Sequence, residues 1–149
     1  MNLVLASRSQ ARKRQLMSLG YAFRCVDPDI VERTLPVETS VLRAVRLARE
    51  KAVAGASQAP SAVVIGADQV AACNGRVLSK PGTVERAIAQ LDSLSGKNAV
   101  FHSAVCVLAP GRDPIEFADT TTVTFRRLSK IEIERYVERD APLECAGAF

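Results

Sequence analysis

A chain of 149 residues, 48% of them hydrophobic and 24% charged, carries enough apolar side chains for one folded domain of ordinary size, which excludes a disordered chain. Its formal charge of +4 suits a polyanionic ligand, whereas 5% aromatic residues and no Trp argue against a base-stacking nucleic-acid platform. Four widely separated cysteines beside the single His102 exclude a structural zinc motif, and no apolar run approaches the roughly 18 residues of a membrane span, so the reading is a cytoplasmic protein with reduced core thiols.

The apolar run Leu3-Val4-Leu5-Ala6 predicts a buried strand, and the segment Ser7 to Arg14 that follows predicts a polar loop and a helix start. Arg8, Arg12, Lys13 and Arg14 crowd this segment. A helix N-terminus offers unpaired backbone N–H groups and a partial positive charge, so hydroxyls and cations there suit phosphate. The helix is expected over 10–19, with Leu16 and Leu19 facing inward and Gly20 past its end, and a short strand over 22–26 follows. The polar stretch from Asp27 to Pro36 reads as loop. Thr39 or Ser40 caps a helix to about Ala56, on which Ala44, Ala48, Lys51 and Gly55 fall in one row. Lys51 can then lay its stem among small residues and extend its ammonium into a cleft.

Ala62 to Ile65 predicts another buried strand, ending at Gly66-Ala67-Asp68-Gln69. Asn74-Gly75 is a hairpin turn between short strands over 70–73 and 77–78. Thr83 starts a helix to about Leu94, residues 98–108 and 115–126 form longer strands around Pro110-Gly111, and Ser129 with Glu132 forms a capping box opening a last helix. Short apolar runs alternating with helical patterns predict an α/β fold with a mixed sheet and a hairpin, in one domain over 1–149.

Asp68 follows an apolar strand directly and is expected at the sheet's edge, where open α/β sheets bind ligands. Glu32, near Asp27 and Asp29, can supply a second carboxylate for a hard divalent ion. Arg12, Lys13, Lys51 and Lys80 add cations from separate parts of the chain. Together with the hydroxyl-rich helix start, these groups suit a magnesium-dependent enzyme that holds a triphosphate and directs water at phosphorus. Neither G-x-x-x-x-G-K-[ST] nor G-x-G-x-x-G occurs, and His102 sits in no nucleophile–base arrangement, so ATPase, dinucleotide and covalent readings lack their anchors.

Leu5-Ala6-Ser7-Arg8-Ser9 with Arg12, then Glu32, Glu50-Lys51-Ala52, Ile65-Gly66-Ala67-Asp68-Gln69-Val70, Lys80-Pro81, Ser95-Gly96 and Cys145-Ala146-Gly147 occur in the order seen in the Maf family of nucleotide pyrophosphatases. The chain resembles that family over essentially its whole length. Asp68-Gln69, where the dTTP/UTP branch carries Asp-Thr, and the ending Pro142-Leu143-Glu144-Cys145-Ala146-Gly147 resemble the branch that hydrolyses 7-methyl-GTP. The resemblance implies an elongated mixed sheet flanked by helices, in two lobes with a central cleft as in inosine-triphosphatase-like folds, often as a homodimer. It implies hydrolysis of a modified nucleoside triphosphate between the α and β phosphates, with Mg²⁺ or Mn²⁺.

Carried onto matching positions, the resemblance makes Asp68 the proton acceptor and, with Glu32, the metal partner. Ser7, Ser9, Arg12, Lys13, Lys51 and Lys80 match the substrate-binding set, and Ala11 and Gln69 match specificity positions. Arg8 and Arg14 fall outside that set and read as solvated cations. Gln10 stands where the family usually has Pro, Ala11 where the 7-methyl-GTP branch tends to have Trp, and Val31 where an Asp-Glu pair is usual. The family continues past Ala146-Gly147-Ala148-Phe149, so the chain is expected to lack a C-terminal segment. The resemblance also leaves two other functions open: a dTTP/UTP pyrophosphatase, and a nucleotide-binding regulator of septum formation without turnover.

Overall fold

The computed structural model describes residues 2–149. The elements run β1 (Leu3–Ala6), α1 (Gln10–Met17), β2 (Arg24–Val26), α2 (Ser40–Gln58), β3 (Val63–Cys73), β4 (Arg76–Leu78), α3 (Val84–Leu94), β5 (Asn98–Leu108), β6 (Ile115–Thr124) and α4 (Lys130–Asp140). The strands form one sheet in the order β2-β1-β3-β5-β6, with β4 also paired to β3. The mixed α/β class is borne out: β1 runs parallel to β2 and β3, while β4 returns antiparallel to β3. Asn74 and Gly75, at φ +49° and +76°, supply the left-handed pair that a two-residue hairpin requires.

The chain forms two compact units, one of residues up to Gln69 with Ser103–Asp119, the other of Val70–His102 with Thr120–Phe149. In the first, Val4, Ala6, Ala59, Ala62 and Val64 make a buried cluster against which Val26 and Ala56 pack. α2 lies so close to the sheet that a Cβ on Gly55 would sit 2.7 Å from Ala6 Cβ, and one on Gly66 would sit 2.2 Å from the Ala48 carbonyl oxygen. The small-residue row of α2 therefore answers a steric demand. Ala44, Ala48, Lys51 and Gly55 are all buried along it.

In the second unit, Ala71, Cys73, Leu94, Ala99 and Phe101 form one cluster. A further cluster joins α3 and α4 through Ala87, Leu91, Ile133 and Val137. Phe149 places its ring edge-on to Phe101 and Phe125, at centroid separations of 5.3 and 5.0 Å. Thr39, Thr83 and Ser129 cap α2, α3 and α4 as their side-chain oxygens suggest, and Ser129 with Glu132 completes the capping box.

Three expectations are corrected. Helix α1 stops at Met17 and buries none of its residues, leaving Leu19 beyond it 65% exposed. Its sequence, QARKRQLM, has too few apolar residues to make a stripe. The thiols divide, with Cys73 and Cys106 buried but Cys25 and Cys145 exposed. The largest correction concerns β3, which does not end before Asp68 but runs through it, from Val63 to Cys73, 11 residues in all. Gly66, where the strand was expected to end, instead serves the close approach of α2. Asp68 nonetheless lies past an edge, because β1 pairs with β3 only as far as Ala6 opposite Gly66.

Candidate active site

Where β1 ends, the chain leaves the sheet through Ser7 and Ser9 into α1. The Ser7 N–H donates to the carbonyls of Leu5 and Val26, at 3.1 and 3.0 Å, which fixes the exit from the strand. Ser7 Oγ accepts from the Ser9 N–H at 3.1 Å, and Ser9 Oγ, the N-cap of α1, accepts from the Arg12 N–H at 3.4 Å. A pocket of about 310 Å³ opens here, lined by Ser7, Ser9, Gln10 and Lys13 with Arg8 and Asp27. Arg8, read from sequence as a solvated cation, is largely exposed but pairs with Asp27 at 3.5 Å. The helix start thus combines backbone donors and cations in one concavity, a setting that favours an anion.

Two residues past Gly66, the partner of the last β1 residue, Asp68 projects from β3 and is 7% exposed. Lys51 reaches it from the small-residue row of α2, donating from Nζ to Asp68 Oδ1 at 2.5 Å. The same ammonium pairs with Glu32 Oε1 at 2.6 Å, and Arg12 Nη2 lies 3.9 Å from Asp68 Oδ1. Burial pushes the Asp68 carboxyl above the usual range and outweighs the opposing pull of Lys51 and Arg12. Its ionised form is therefore a stronger base than an exposed aspartate.

The structure thus brings Ser7, Ser9, Arg12, Glu32, Lys51 and Asp68 into the first unit, four of them linked through Lys51 and Asp68. Gln69 is also there, its amide Nε2 donating to Ser103 Oγ at 3.0 Å, while Ala11 and Lys13 are exposed on α1. Lys80 belongs to the second unit, where it pairs with Glu144 at 3.2 Å. Sequence reading missed Ser103, which no local pattern ties to Gln69 34 positions earlier.

Among the described residues no three His, Cys, Asp or Glu side chains form a metal cage. Glu32 and Asp68, drawn to one ammonium, are two carboxylates that could hold a magnesium ion if a phosphate ligand and water supplied its remaining oxygens. The donor set fits a metal that arrives with a phosphate ligand.

Residues 2–149 match the Maf family, described as Maf-like protein. The chain belongs to the Maf family. Among its curated relatives, the 7-methyl-GTP pyrophosphatase of Xanthomonas axonopodis pv. citri is 44% identical over 99% of this Maf chain and 77% of its own length. The protein of the same name from Aromatoleum aromaticum is 46% identical over 98% of this chain and 76% of its own. In fold, the Maf chain is similar to the Ham1 protein of Staphylococcus aureus, with a TM-score of 0.57 at 18% identity over 83% of this chain and 71% of that one. A nucleoside-triphosphatase / dITP/XTP pyrophosphatase from Mycobacterium abscessus aligns with a TM-score of 0.53 at 18% identity, over 86% of this chain and 76% of that one. No helix among the described residues is long and apolar enough to cross a membrane.

Proposed function

We propose that this Maf-family chain is a nucleoside triphosphate pyrophosphatase that hydrolyses 7-methyl-GTP to the monophosphate and pyrophosphate. The observation that carries the reading is the buried Lys51–Asp68 pair, joined by Glu32 and Arg12 beside the open start of α1. Relatives named 7-methyl-GTP pyrophosphatase at 44–47% identity supply the substrate.

In this reading the hydroxyl and backbone groups of the Ser7 to Arg12 segment, with Arg12, hold the phosphates. Asp68 accepts a proton from water as the water oxygen bonds to the α-phosphorus. The bond from that phosphorus to the bridging oxygen breaks, and pyrophosphate leaves with the electron pair. Lys51 keeps Asp68 and Glu32 in place and faces the charge of the phosphates. A Mg²⁺ or Mn²⁺ ion held by Glu32 and Asp68 would neutralise charge building on the phosphate oxygens. Gln69, its amide held by Ser103, would meet an edge of the base.

Purified protein assayed with magnesium against 7-methyl-GTP, GTP, dTTP and UTP tests the assignment. Pyrophosphate release fastest from 7-methyl-GTP is the expected result. Preference for dTTP or UTP would move the chain to another branch of substrates. Saturable binding without pyrophosphate above a metal-free control would make it a nucleotide-binding regulator.

A further inference from the structure

Glu32 stands in the stretch between β2 and α2, which has no regular secondary structure, yet its carboxylate lies 2.6 Å from Lys51 Nζ. Within that stretch, the backbone bond from the Arg33 N–H to the Val31 carbonyl, 2.8 Å, is strictly local. A local bond cannot fix a loop against a helix. The longer-range ties come from α2: Arg43 Nη1 donates to Thr34 Oγ1 at 3.0 Å, and Arg46 makes the larger, less exposed set. Its Nε and Nη2 donate to the two carboxylate oxygens of Glu38 at 2.6 and 2.7 Å, a fork on the residue just before the N-cap. Nη2 also donates to the Arg33 carbonyl at 3.0 Å, and Nη1 donates to Glu50 Oε1 at 3.0 Å.

One guanidinium thus grips three residues: Glu38 at the C-terminal end of the loop, Arg33 adjoining Glu32, and Glu50 in the helical turn that carries Lys51. A planar group with five donors can do this, and a lysine ammonium cannot reproduce the fork. Three-quarters or more of each of the Arg46 and Glu38 side chains is withdrawn from solvent, at 21% and 10% exposure. Such a pair holds its geometry better than an exposed one.

We propose that Arg46 is a positioning residue that clamps the Glu32 loop onto α2 and so keeps the Glu32 carboxylate on Lys51. The inference rests on the reading above that Glu32 belongs to the reacting site. The partners of Arg46 are Glu38, Arg33 and Glu50, so it acts on Glu32 through the loop.

Arg46→Met, Arg46→Lys and Glu38→Gln test this by three readouts: amide hydrogen exchange over residues 30–37, tryptic cleavage after Arg33, and steady-state pyrophosphate release with magnesium. Arg46→Met should speed loop exchange and cleavage roughly tenfold while exchange in α2 stays near wild type. It should lower kcat about 10- to 100-fold with a much smaller change in KM, the loss expected when a supporting group lets a reacting one drift. Arg46→Lys should recover little of this, and Glu38→Gln, the milder lesion, should reproduce the loop effect if Arg46→Met folds poorly. Unchanged loop exchange and cleavage would overturn the proposal, as would exchange rising equally along α2, or a raised KM at unaltered kcat. If wild type releases no pyrophosphate from any nucleotide, the functional reading fails by itself, and exchange and cleavage still decide whether Arg46 holds the loop.

Discussion

The Lys51–Asp68 pair of the first unit and the Lys80–Glu144 pair of the second join the same two chemical groups, at 2.5 and 3.2 Å. In the first, the side chains are 9% and 8% exposed; in the second, 64% and 81%. Solvent screens the exposed pair and each partner loses rotamer freedom to hold it, so little stability results. The buried pair has lost its hydration and must recover that cost through mutual contact, which Glu32 and Arg12 reinforce. Burial therefore separates a candidate reacting centre from a surface contact, where residue type does not.

Asp68→Asn carries the largest expected effect. This change should lower pyrophosphate release about 10²- to 10⁴-fold, the usual loss for a general base, while nucleotide still binds. Near wild-type turnover would remove Asp68 from the chemistry. Lys51→Met should cost about 3–5 kcal/mol of stability in a denaturant melt, because it strands a buried carboxylate. The matching Lys80→Met should cost less than about 1 kcal/mol. Equal losses at the two lysines would show that burial does not distinguish them.

Gly66→Ala tests the support beneath the buried pair rather than the pair. Its Cβ would meet backbone of α2, 2.2 Å from the Ala48 oxygen and 2.4 Å from the Ala52 nitrogen, so helix or strand must shift. A loss of about 1–3 kcal/mol is expected, and a melt unchanged from wild type would show that α2 does not depend on that approach. The smallest effect belongs to an exposed carboxylate of the second unit. Hydrogen bonds from Arg126 first, then from the backbone and hydroxyl of Ser129, lower Glu132 from its ordinary 4.5 to about 2. A lowered folded-state value adds stability above the ordinary range, and that stability is lost as pH falls toward about 2. Glu132→Gln should thus melt slightly below wild type at neutral pH, with the gap closing between pH 4.5 and about 2. A gap independent of pH would contradict this.

Much of the fold could be read from local patterns because local physics makes those elements. Thr39, Thr83 and Ser129 mark helix starts through one hydroxyl each, and Asn74-Gly75 makes its turn from the φ values it tolerates. Elements whose bounds depend on a distant neighbour were harder. Gly66 reads as a break in a strand until α2 is seen packed over it, and Leu19 reads as inward on a helix that in fact ends two residues earlier.

The candidate site divides in the same way. Ser7, Arg12, Glu32, Lys51, Asp68 and Gln69 could be named from the sequence because they stand in motifs of the family, each a few residues long. The α/β class, the helix caps, the hairpin and the family are legible in the chain alone, because all follow from short-range patterns and ordered motifs. It took the packed chain to show that one ammonium joins Asp68 to Glu32, that Ser103 holds Gln69, and that Arg46 ties the Glu32 loop to α2. Those contacts join residues 13 to 34 positions apart, or depend on the burial around them, and burial is a property of the packed chain. A sequence lists the charges; packing sets which of them lose their water and which partners they must then keep.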